Sequence, residues 1–316
     1  MVDFITIYKN IRDLFYVIIG IVQSYFLIRR LKPNLVFSRG GYVSVPVCVG
    51  AKFNHVNYIT HDSDSIASLA NRVIAKDAVA HFVSTDKKNY KYPTEKMIVT
   101  GIPVSENFKR IDLATKLLYR RKLNYLKNDK IILIIGGGQG ARDLNNLFIS
   151  ISSDILKMNS NIKIIHLVGS QNYKDALNKY SYQLDQDNLK RVNVLDYTEE
   201  VYLYSGVADL IITRGGATNL AEFAIQAKAC IIVPSSFLAS NHQLENAKFL
   251  SDNNAAILLD DKKINKNKKI LFNSIINTLT DGTKLRDLET NISKYAKPNA
   301  TEEITKQILS FAGKFN

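Results

Sequence analysis

The sequence predicts an α/β protein of two doubly wound domains, each with a parallel sheet covered by helices on both faces. Two observations carry this prediction. Short apolar runs alternate with segments of helical spacing along nearly the whole chain, which is the pattern of parallel α/β sheets. A hinge at Gly101-Ile102-Pro103 divides this alternation into a shorter first half and a longer second half.

Composition sets the broad class. The chain has 316 residues, 46% of them hydrophobic and 22% charged, as in a folded globular protein of two ordinary domains. Its net charge of +13 favours acidic partners such as phosphorylated substrates or anionic lipid headgroups. Nucleic acid is not expected as a partner, because the basic residues are scattered and no nucleic-acid-reading motif occurs. Cys48 and Cys230 lie in apolar runs, which predicts reduced core residues and no metal pair.

The segment at residues 4–31 is the most apolar of the chain, and Pro33 follows it. Its central run, residues 15–28, is shorter than the roughly 20 residues that span a bilayer. Bulky side chains followed by Arg29, Arg30 and Lys32 suit the interface of a membrane. A core helix of the first domain explains the same pattern, and both interpretations stay open.

The first domain is predicted to contain four strands, at residues 35–37, 56–60, 79–84 and 97–100. A glycine turn, Gly40-Gly41-Tyr42, follows the first strand. The second strand ends in His61-Asp62-Ser63-Asp64, before a helix at residues 66–75. Such a tetrad is explained equally well by helix capping and by a functional site at the end of a strand.

The second domain is predicted to contain six strands, at residues 131–135, 162–168, 192–195, 210–213, 229–233 and 256–259. The charged segment at residues 260–269 is typical of a solvated loop. The last helix, at residues 302–311, is expected to cross back onto the first domain. We therefore assign residues 1–104 and 298–316 to the first domain and residues 105–297 to the second.

The stretch Lys130–Asn145 carries the clearest binding signal. Five apolar residues, Ile131–Ile135, are typical of a buried parallel strand, and four glycines follow within residues 136–140. A strand that turns through glycines into a helix collects unpaired backbone N–H groups and the positive end of the helix dipole. This arrangement predicts an anion site, most often for phosphate, while a tight turn without a ligand would need the same glycines.

A nicotinamide dinucleotide is one alternative, because Gly136, Gly138 and Ala141 fit the G-x-G-x-x-A pattern. The acidic residue that such sites need after the next strand is absent, so we expect no cofactor. A carboxylate comes later, at Glu222, where a strand again turns through Gly215-Gly216 into a helix. Glu222 could accept hydrogen bonds from both hydroxyls of a ribose, and a surface role that compensates the helix dipole fits it equally well.

A third strand end, Pro234-Ser235-Ser236, leads into a helix that opens with Asn241, His242 and Gln243. Imidazole and amide groups donate and accept hydrogen bonds and suit the hydroxyls of a sugar, although Asn241 could simply cap the helix. Parallel α/β sheets bind ligands at the carboxyl edge, where these strand ends meet. A phosphate loop, a diol-binding carboxylate and a sugar-binding amide together predict a sugar-nucleotide site.

At this level of detail the sequence resembles the MurG-type glycosyltransferases of family 28, which have the GT-B fold of two Rossmann-like domains facing a cleft. The resemblance covers about residues 31–259 and rests on several motifs in the family's order. These motifs are GGYVS at residues 40–44, TG-x-PV at 100–104, GG-x-QGA at 136–141, RGGAT-x-x-x-E at 214–222 and HQ-x-x-NA at 242–247.

The resemblance implies roles for the motif residues. The second domain would hold UDP-GlcNAc, with Gly138, Gln139 and Gly140 at the diphosphate and Glu222 at the ribose. His242 and Gln243 would contact the sugar hydroxyls, and Thr198 would lie in the loop around the uracil. The remaining residues implied at the phosphate side are Ala217, Thr218 and Asn219, and those on the acceptor side are Gly40, Gly41 and Tyr42.

The resemblance also implies a reaction without a metal, an inverting transfer of GlcNAc from UDP-GlcNAc to undecaprenyl-linked MurNAc-pentapeptide in peptidoglycan synthesis. The enzyme would lie on the cytoplasmic face of the membrane as a peripheral protein, held by the apolar N-terminal helix.

One departure concerns the general base. Family members open with a strand and a GGTGGH loop, whose histidine is a candidate base; this chain has no such loop, so the first domain is expected to be incomplete at its N-terminus. Within the chain, His61 or Asp62 is the predicted base. Two alternatives are a donor-binding subunit that needs a small partner chain to supply the loop, and a related UDP-sugar enzyme such as a 2-epimerase or a glycolipid transferase.

Overall fold

The computed structural model describes residues 4–137, 141–236 and 241–313 and divides into two compact units. The first unit takes the described residues up to Pro103 together with those from Asn299 onward. The second unit runs from Val104 to Pro298. Each unit has its own parallel sheet and its own hydrophobic core.

The first unit is built on a parallel sheet in the strand order β1-β2-β3-β4. Its strands are β1 (Val36–Ser38), β2 (Tyr58–Asp62), β3 (Ala80–Val83) and β4 (Met97–Val99), and its first helices are α1 (Phe4–Leu31), α2 (Ser44–Phe53) and α3 (Leu69–Ile74). Every residue of β2 and β3 is buried, as expected for central parallel strands with both faces covered.

Over residues 12–31, whose side chains the structure describes, helix α1 packs against α2 along one side. The contact is close because a Cβ on Gly50 would stand 2.9 Å from the backbone of Ser24, so the helices can approach this far only at a glycine. Asn54 reinforces it by donating its side-chain Nδ2–H to Tyr25 O at 3.0 Å.

The other side of α1 is exposed and apolar. Its exposed side chains are Leu14, Phe15, Tyr16, Ile18, Val22, Phe26, Leu27 and Leu31. The segment Arg12–Leu31 has 20 residues and a mean hydropathy of 1.5, so it could cross a membrane by length and composition alone. The helix has the predicted bounds of residues 4–31, but its apolar part is longer than the predicted central run at residues 15–28.

The second unit is a doubly wound sheet of six parallel strands within the described ranges, in the order β10-β9-β8-β5-β6-β7. The strands are β5 (Lys130–Ile135), β6 (Ile162–Leu167), β7 (Val192–Leu195), β8 (Leu210–Thr213), β9 (Cys230–Ile232) and β10 (Ile257–Leu258). Counted within the unit this order is 6-5-4-1-2-3, and the winding reverses between β5 and β8.

Helices cover both faces of this sheet. They are α4 (Leu113–Lys122), α5 (Arg142–Met158), α6 (Tyr173–Gln183), α7 (Gln186–Leu189), α8 (Val201–Val207), α9 (Ala217–Ile225), α10 (His242–Asp252), α11 (Asp261–Lys266), α12 (Lys269–Thr280) and α13 (Gly282–Ser293). The C-terminal helix α14 (Ala300–Phe311) belongs to the first unit, where Ile304 and Ile308 pack against Ile59, Ala80 and Phe82.

Two local predictions differ from the structure. The segment 260–269 is not a fully solvated loop, because it contains helix α11, in which Asp261 and Ile264 are buried. Strand β2 does not end before His61 but continues through Asp62, which places both residues inside the sheet. The second difference changes the chemistry expected of these two side chains.

Candidate functional site

One cavity of the second unit lies at the carboxyl ends of β5 and β8, where the winding of the sheet reverses. Its volume is about 540 Å³. Doubly wound sheets bind ligands at this topological position, because the two adjacent strand-to-helix loops diverge there. The cavity is lined by Gly136, Gly137, Ala141, Arg142, Asp143, Thr213, Arg214, Gly216, Ala217, Thr218, Asn219, Ser235 and Gln243.

The first wall is the glycine loop between β5 and α5. A Cβ on Gly136 would stand 2.7 Å from Ala141 N, and Gly137 has a φ of +97°, so both positions require glycine. Residues Gly138, Gln139 and Gly140, the predicted diphosphate contacts, lie outside the described residues. Helix α5 starts at Arg142 on the far side of the loop, so its N-terminus borders the cavity.

The second wall is the loop between β8 and α9. Gly215 has a φ of +86°, and a Cβ there would meet Ile232 Cγ2 at 2.8 Å. Asn246 holds the turn by donating its side-chain Nδ2–H to Gly215 O at 3.2 Å. The predicted residues Ala217, Thr218 and Asn219 form the first turn of α9 and line the cavity.

Two helix N-termini therefore border one cavity. The first turn of α9 contains no acidic residue, and Gly216, its N-cap, has no side chain to accept from the free N–H groups. The free N–H groups and the dipole of α9 favour an anion at this place. The dipole of α5 acts in the same direction, although Asp143 in its first turn also lines the cavity and carries a negative charge. The cavity is thus suited to a phosphate or diphosphate group.

Glu222 follows Thr218 by one helical turn on α9, which puts the two residues on the same face of the helix. Its side chain is partly buried, and burial raises the pKa of its carboxyl group to about 7. It is not among the residues that line the cavity. A carboxyl group with this pKa exchanges its proton near neutral pH, so a partner that donates hydrogen bonds would favour the charged form.

Of the two residues expected to contact the sugar, His242 and Gln243, Gln243 is the one that lines the cavity. Gln243 lines the cavity, and its Oε1 accepts a hydrogen bond from Ser235 N at 3.0 Å, so part of its role is to hold the chain after β9. His242 is the first residue of α10 and is partly buried. Thr198 is not among the lining residues; its Oγ1 accepts from Glu200 N at 3.0 Å, next to the start of α8.

A buried polar network that the sequence motifs did not predict lies behind the first wall. Asn145, in the first turns of α5, donates to Val168 O at 2.9 Å and contacts His166 Nε2 through its Oδ1 at 3.1 Å. His166 Nδ1 in turn lies 2.8 Å from Tyr180 OH, and burial lowers the pKa of His166 to about 3. This network fixes the start of α5 relative to the end of β6 with a neutral imidazole.

The two predicted catalytic residues of the first unit, His61 and Asp62, are both buried and hydrogen-bonded inside the protein. His61 is fully buried, and its Nε2 donates to Gly101 O at 2.9 Å, while burial lowers its pKa. Asp62 is also buried: its Oδ1 accepts from Ser68 N and from Asn71 Nδ2, each at 2.9 Å, and its Oδ2 accepts from Tyr92 OH at 2.7 Å. These contacts favour a supporting role inside the protein. The tetrad is not the helix cap that the sequence left open, because α3 is capped by Ser68, whose side chain accepts from Asn71 N.

The glycine turn on the predicted acceptor side lies next to this network. Gly40 and Gly41 have φ values of +81° and +84°, and Tyr42 is 80% exposed. Gly40 N donates to Ser38 Oγ, and Ser38 Oγ donates to Asn71 Oδ1, each at 3.3 Å. Asp62 therefore supports the turn through Asn71 and Ser38 rather than facing a ligand.

Comparison with known proteins agrees with this architecture. The sequence models of the glycosyltransferase family 28 N-terminal and C-terminal domains match residues 3–83 and 131–308. A curated relative from Halothermothrix orenii is 31% identical over 92% of this chain and 77% of its own length. It is named UDP-N-acetylglucosamine--N-acetylmuramyl-(pentapeptide) pyrophosphoryl-undecaprenol N-acetylglucosamine transferase, as is a relative from Borreliella burgdorferi that is 31% identical over 96% of this chain and 78% of its own length.

Solved structures share the fold. MurG of Acinetobacter baumannii matches with a TM-score of 0.75 and 24% identity, over 94% of this chain and 79% of that one. The UDP-GlcNAc 2-epimerase of Neisseria meningitidis, solved with UDP-GlcNAc, matches with a TM-score of 0.65 and 14% identity, over 93% of this chain and 81% of that one. The predicted α/β fold with two Rossmann-like sheets is confirmed, and the chain belongs to glycosyltransferase family 28 as a MurG-type hexosyltransferase.

Proposed function

We propose that this chain transfers GlcNAc from UDP-GlcNAc to undecaprenyl-linked MurNAc-pentapeptide, the last cytoplasmic sugar transfer of peptidoglycan synthesis. The observation that carries the proposal is the cavity of the second unit, where two helix N-termini border the switch point of a doubly wound sheet. The relatives that match most of the chain bear this activity in their names.

The donor would bind in that cavity. The N-termini of α5 and α9 would bind the diphosphate, with Gly138, Gln139 and Gly140 on one side and Ala217, Thr218 and Asn219 on the other. Glu222 would accept hydrogen bonds from both ribose hydroxyls, and these donors would draw its carboxyl group into the charged form. Gln243 and His242 would contact the sugar hydroxyls, and the loop of Thr198 would enclose the uracil.

The chemistry would be an inverting substitution at the anomeric carbon. A hydroxyl oxygen of the acceptor forms the new glycosidic bond while the bond from the anomeric carbon to the diphosphate oxygen breaks, and UDP leaves with the electron pair. The helix N-termini would stabilise the charge that develops on the diphosphate. The hydroxyl proton passes to a general base. His61 and Asp62 stay the prediction for the base, with their burial favouring a supporting role instead.

The acceptor would approach the first unit beside Gly40, Gly41 and Tyr42, whose exposed ring is available to a lipid-linked sugar. The exposed apolar side of α1, with Arg29, Arg30 and Lys32 at its C-terminal end, would attach the protein to the anionic cytoplasmic surface of the membrane.

The direct test is transfer of labelled GlcNAc from UDP-GlcNAc to a lipid I analogue by the purified chain. Wild-type protein should form the disaccharide, and Glu222→Ala should lose donor use, whereas Glu302→Ala, an exposed carboxylate on α14, should not. Donor binding without transfer would favour the subunit that needs a small partner chain. Release of UDP-ManNAc without an acceptor would favour the epimerase alternative.

A further inference from the structure

Arg214 lines the cavity, but its surroundings do not match the role of a diphosphate ligand. It follows β8 directly and precedes the Gly215 turn, which makes it the natural candidate for a diphosphate ligand. Its side chain is nevertheless only 5% exposed, and its Nη1 donates to Asp261 Oδ1 at 3.0 Å and to Val233 O at 3.2 Å. The positive charge of Arg214 is therefore neutralised inside the protein.

Asp261 links this arginine to the chain that follows β9. Its Oδ2 accepts from Ser236 N at 3.3 Å and from Ser236 Oγ at 3.0 Å, while its Oδ1 receives Arg214. Asn265, one turn further on α11, donates to the backbone oxygen of Asp261 at 2.8 Å and to its Oδ1 at 3.3 Å, and so orients the start of that helix. Both carboxylate oxygens are thus occupied by groups from two different strand ends.

The segment Pro234–Ser236 is consequently held from two sides. Asp261 binds Ser236, and Gln243 binds the neighbouring Ser235 through its Oε1. Ser235 and Gln243 both line the cavity, so the position of this segment sets the shape of one wall. The wall depends on a buried ion pair whose two members come from β8 and α11.

We propose that Arg214 and Asp261 form a positioning pair that fixes the Pro234–Ser236 wall for the donor, and that Arg214 is not a ligand of the diphosphate. The inference rests on the proposed function for the identity of the donor. Arg142, the exposed lining cation at the start of α5, is left as the side-chain charge available to the diphosphate among the described lining residues.

Asp261→Asn separates the two roles of Arg214. Asparagine has one side-chain oxygen and no charge, and its NH₂ group only donates. With the oxygen on Arg214, the side chain has no acceptor left on the side of Ser236 N. A positioning pair predicts that the dissociation constant of UDP rises about tenfold, because a displaced wall no longer fits the ligand. A diphosphate-binding Arg214 would be released by the same substitution, and UDP would then bind equally well or more tightly.

The matched control is Asp260→Asn. Asp260 precedes Asp261 and carries the same charge, but its Oδ1 caps α11 by accepting from Lys262 N and Lys263 N. UDP affinity should stay within about twofold of wild type in this variant. Ser236→Ala, which removes only the Oγ contact with Asp261, should weaken UDP binding by less than Asp261→Asn does.

The experiment is calorimetric titration with UDP together with hydrogen exchange at the Ser236 amide in the full-length chain. The account predicts weaker UDP binding and faster Ser236 exchange in Asp261→Asn and neither change in Asp260→Asn. Unchanged exchange at Ser236, or undiminished UDP affinity in Asp261→Asn, would overturn the positioning pair. Failure of wild-type protein to bind UDP would instead overturn the proposed donor, and the exchange result would still decide whether Asp261 holds the wall.

Discussion

The carboxyl edges of the two sheets use polar residues in opposite ways. In the second unit, the side chains and backbone groups that follow β5, β8 and β9 border a cavity of about 540 Å³. In the first unit, the polar residues at the end of β2 make hydrogen bonds inside the protein, and Asp62 alone accepts three of them. The same strand-end signal in a sequence therefore produces a binding edge in one unit and a supporting network in the other.

The difference comes from where each strand stops. β8 ends at Thr213 and passes at once into a glycine turn with a φ of +86°, so the next residues leave the sheet and face the cavity. β2 continues through His61 and Asp62 because both pair in register with β3. A buried carboxylate needs hydrogen-bond donors, and these come from the protein itself when no ligand reaches it.

The largest effect should come from breaking the binding edge at its turn. Gly215→Ala adds a Cβ at positive φ and within 2.8 Å of Ile232, and we expect a loss of about 2–4 kcal/mol in the free energy of unfolding together with loss of donor binding. Chemical denaturation and UDP titration measure both. Gly216→Ala is the neighbouring control for stability, since a Cβ there meets nothing within 4 Å; an equal loss of stability in that variant would contradict the steric account.

Substitutions at the carboxyl edge of the first sheet should lower the stability of the protein and leave UDP binding unchanged. Asp62→Ala removes the acceptor of the Tyr92 hydroxyl and one of the two acceptors of the Asn71 amide, which also donates to His61 O. This change should cost about 3 kcal/mol of the free energy of unfolding. We expect the affinity of the surviving folded protein for UDP to be unchanged. An Asp62→Ala protein of wild-type stability that has lost transfer would restore Asp62 as the predicted base.

Glu222 should give donor binding a dependence on pH. Burial raises the pKa of its carboxyl group to about 7, and only the carboxylate can accept from two ribose hydroxyls. The dissociation constant of UDP-GlcNAc should therefore rise as pH falls below 7, by up to about tenfold per pH unit. Glu222→Gln should bind weakly at every pH. A wild-type profile that is flat from pH 6 to 8 would contradict this role.

The same raised pKa has a consequence for the unliganded protein. A carboxyl group whose folded pKa lies above its unfolded value contributes stability at low pH, and that contribution falls as pH rises from about 4.5 to about 7. Glu222→Gln removes this titration, so its stability relative to wild type should increase across that interval. Thermal unfolding at pH 5 and pH 8 compares the two proteins.

The smallest effect is expected at Thr198, which the structure places in a turn just before α8. Thr198→Ala removes the acceptor for Glu200 N and should cost about 1 kcal/mol or less, with a change in donor KM of only a few fold. Thr198→Ser keeps the hydroxyl and serves as the control. A large increase in donor KM with unchanged stability would show direct contact with the nucleotide.

The sequence was sufficient for the existence of the strands and for the placement of the glycine turns, but it ended β2 two residues early. The apolar run at residues 131–135 and the alternation that follows it predicted a doubly wound sheet. A parallel strand covered on both faces is apolar throughout, so it stands out in the sequence. The glycines at 136, 137 and 215 were informative for the same reason: their backbone geometry excludes other residues.

The side chains that hold the site together could not be foreseen from local patterns. Asp261 lies among lysines in a segment that looks solvated, yet it pairs with Arg214, 47 positions away in sequence. Asp62 depends on Tyr92, which is 30 positions away. Pairing over such distances follows from strand order and register, and a charged residue shows no local sign that it will be buried.

The most direct test of the two edges is one set of calorimetric titrations with UDP-GlcNAc at pH 8, using wild type, Glu222→Gln and Asp62→Asn. The account predicts that Glu222→Gln weakens donor binding by at least about tenfold, while Asp62→Asn binds as wild type does. Undiminished binding by Glu222→Gln, or a comparable loss in Asp62→Asn, would contradict the assignment of donor binding to the edge of the second sheet.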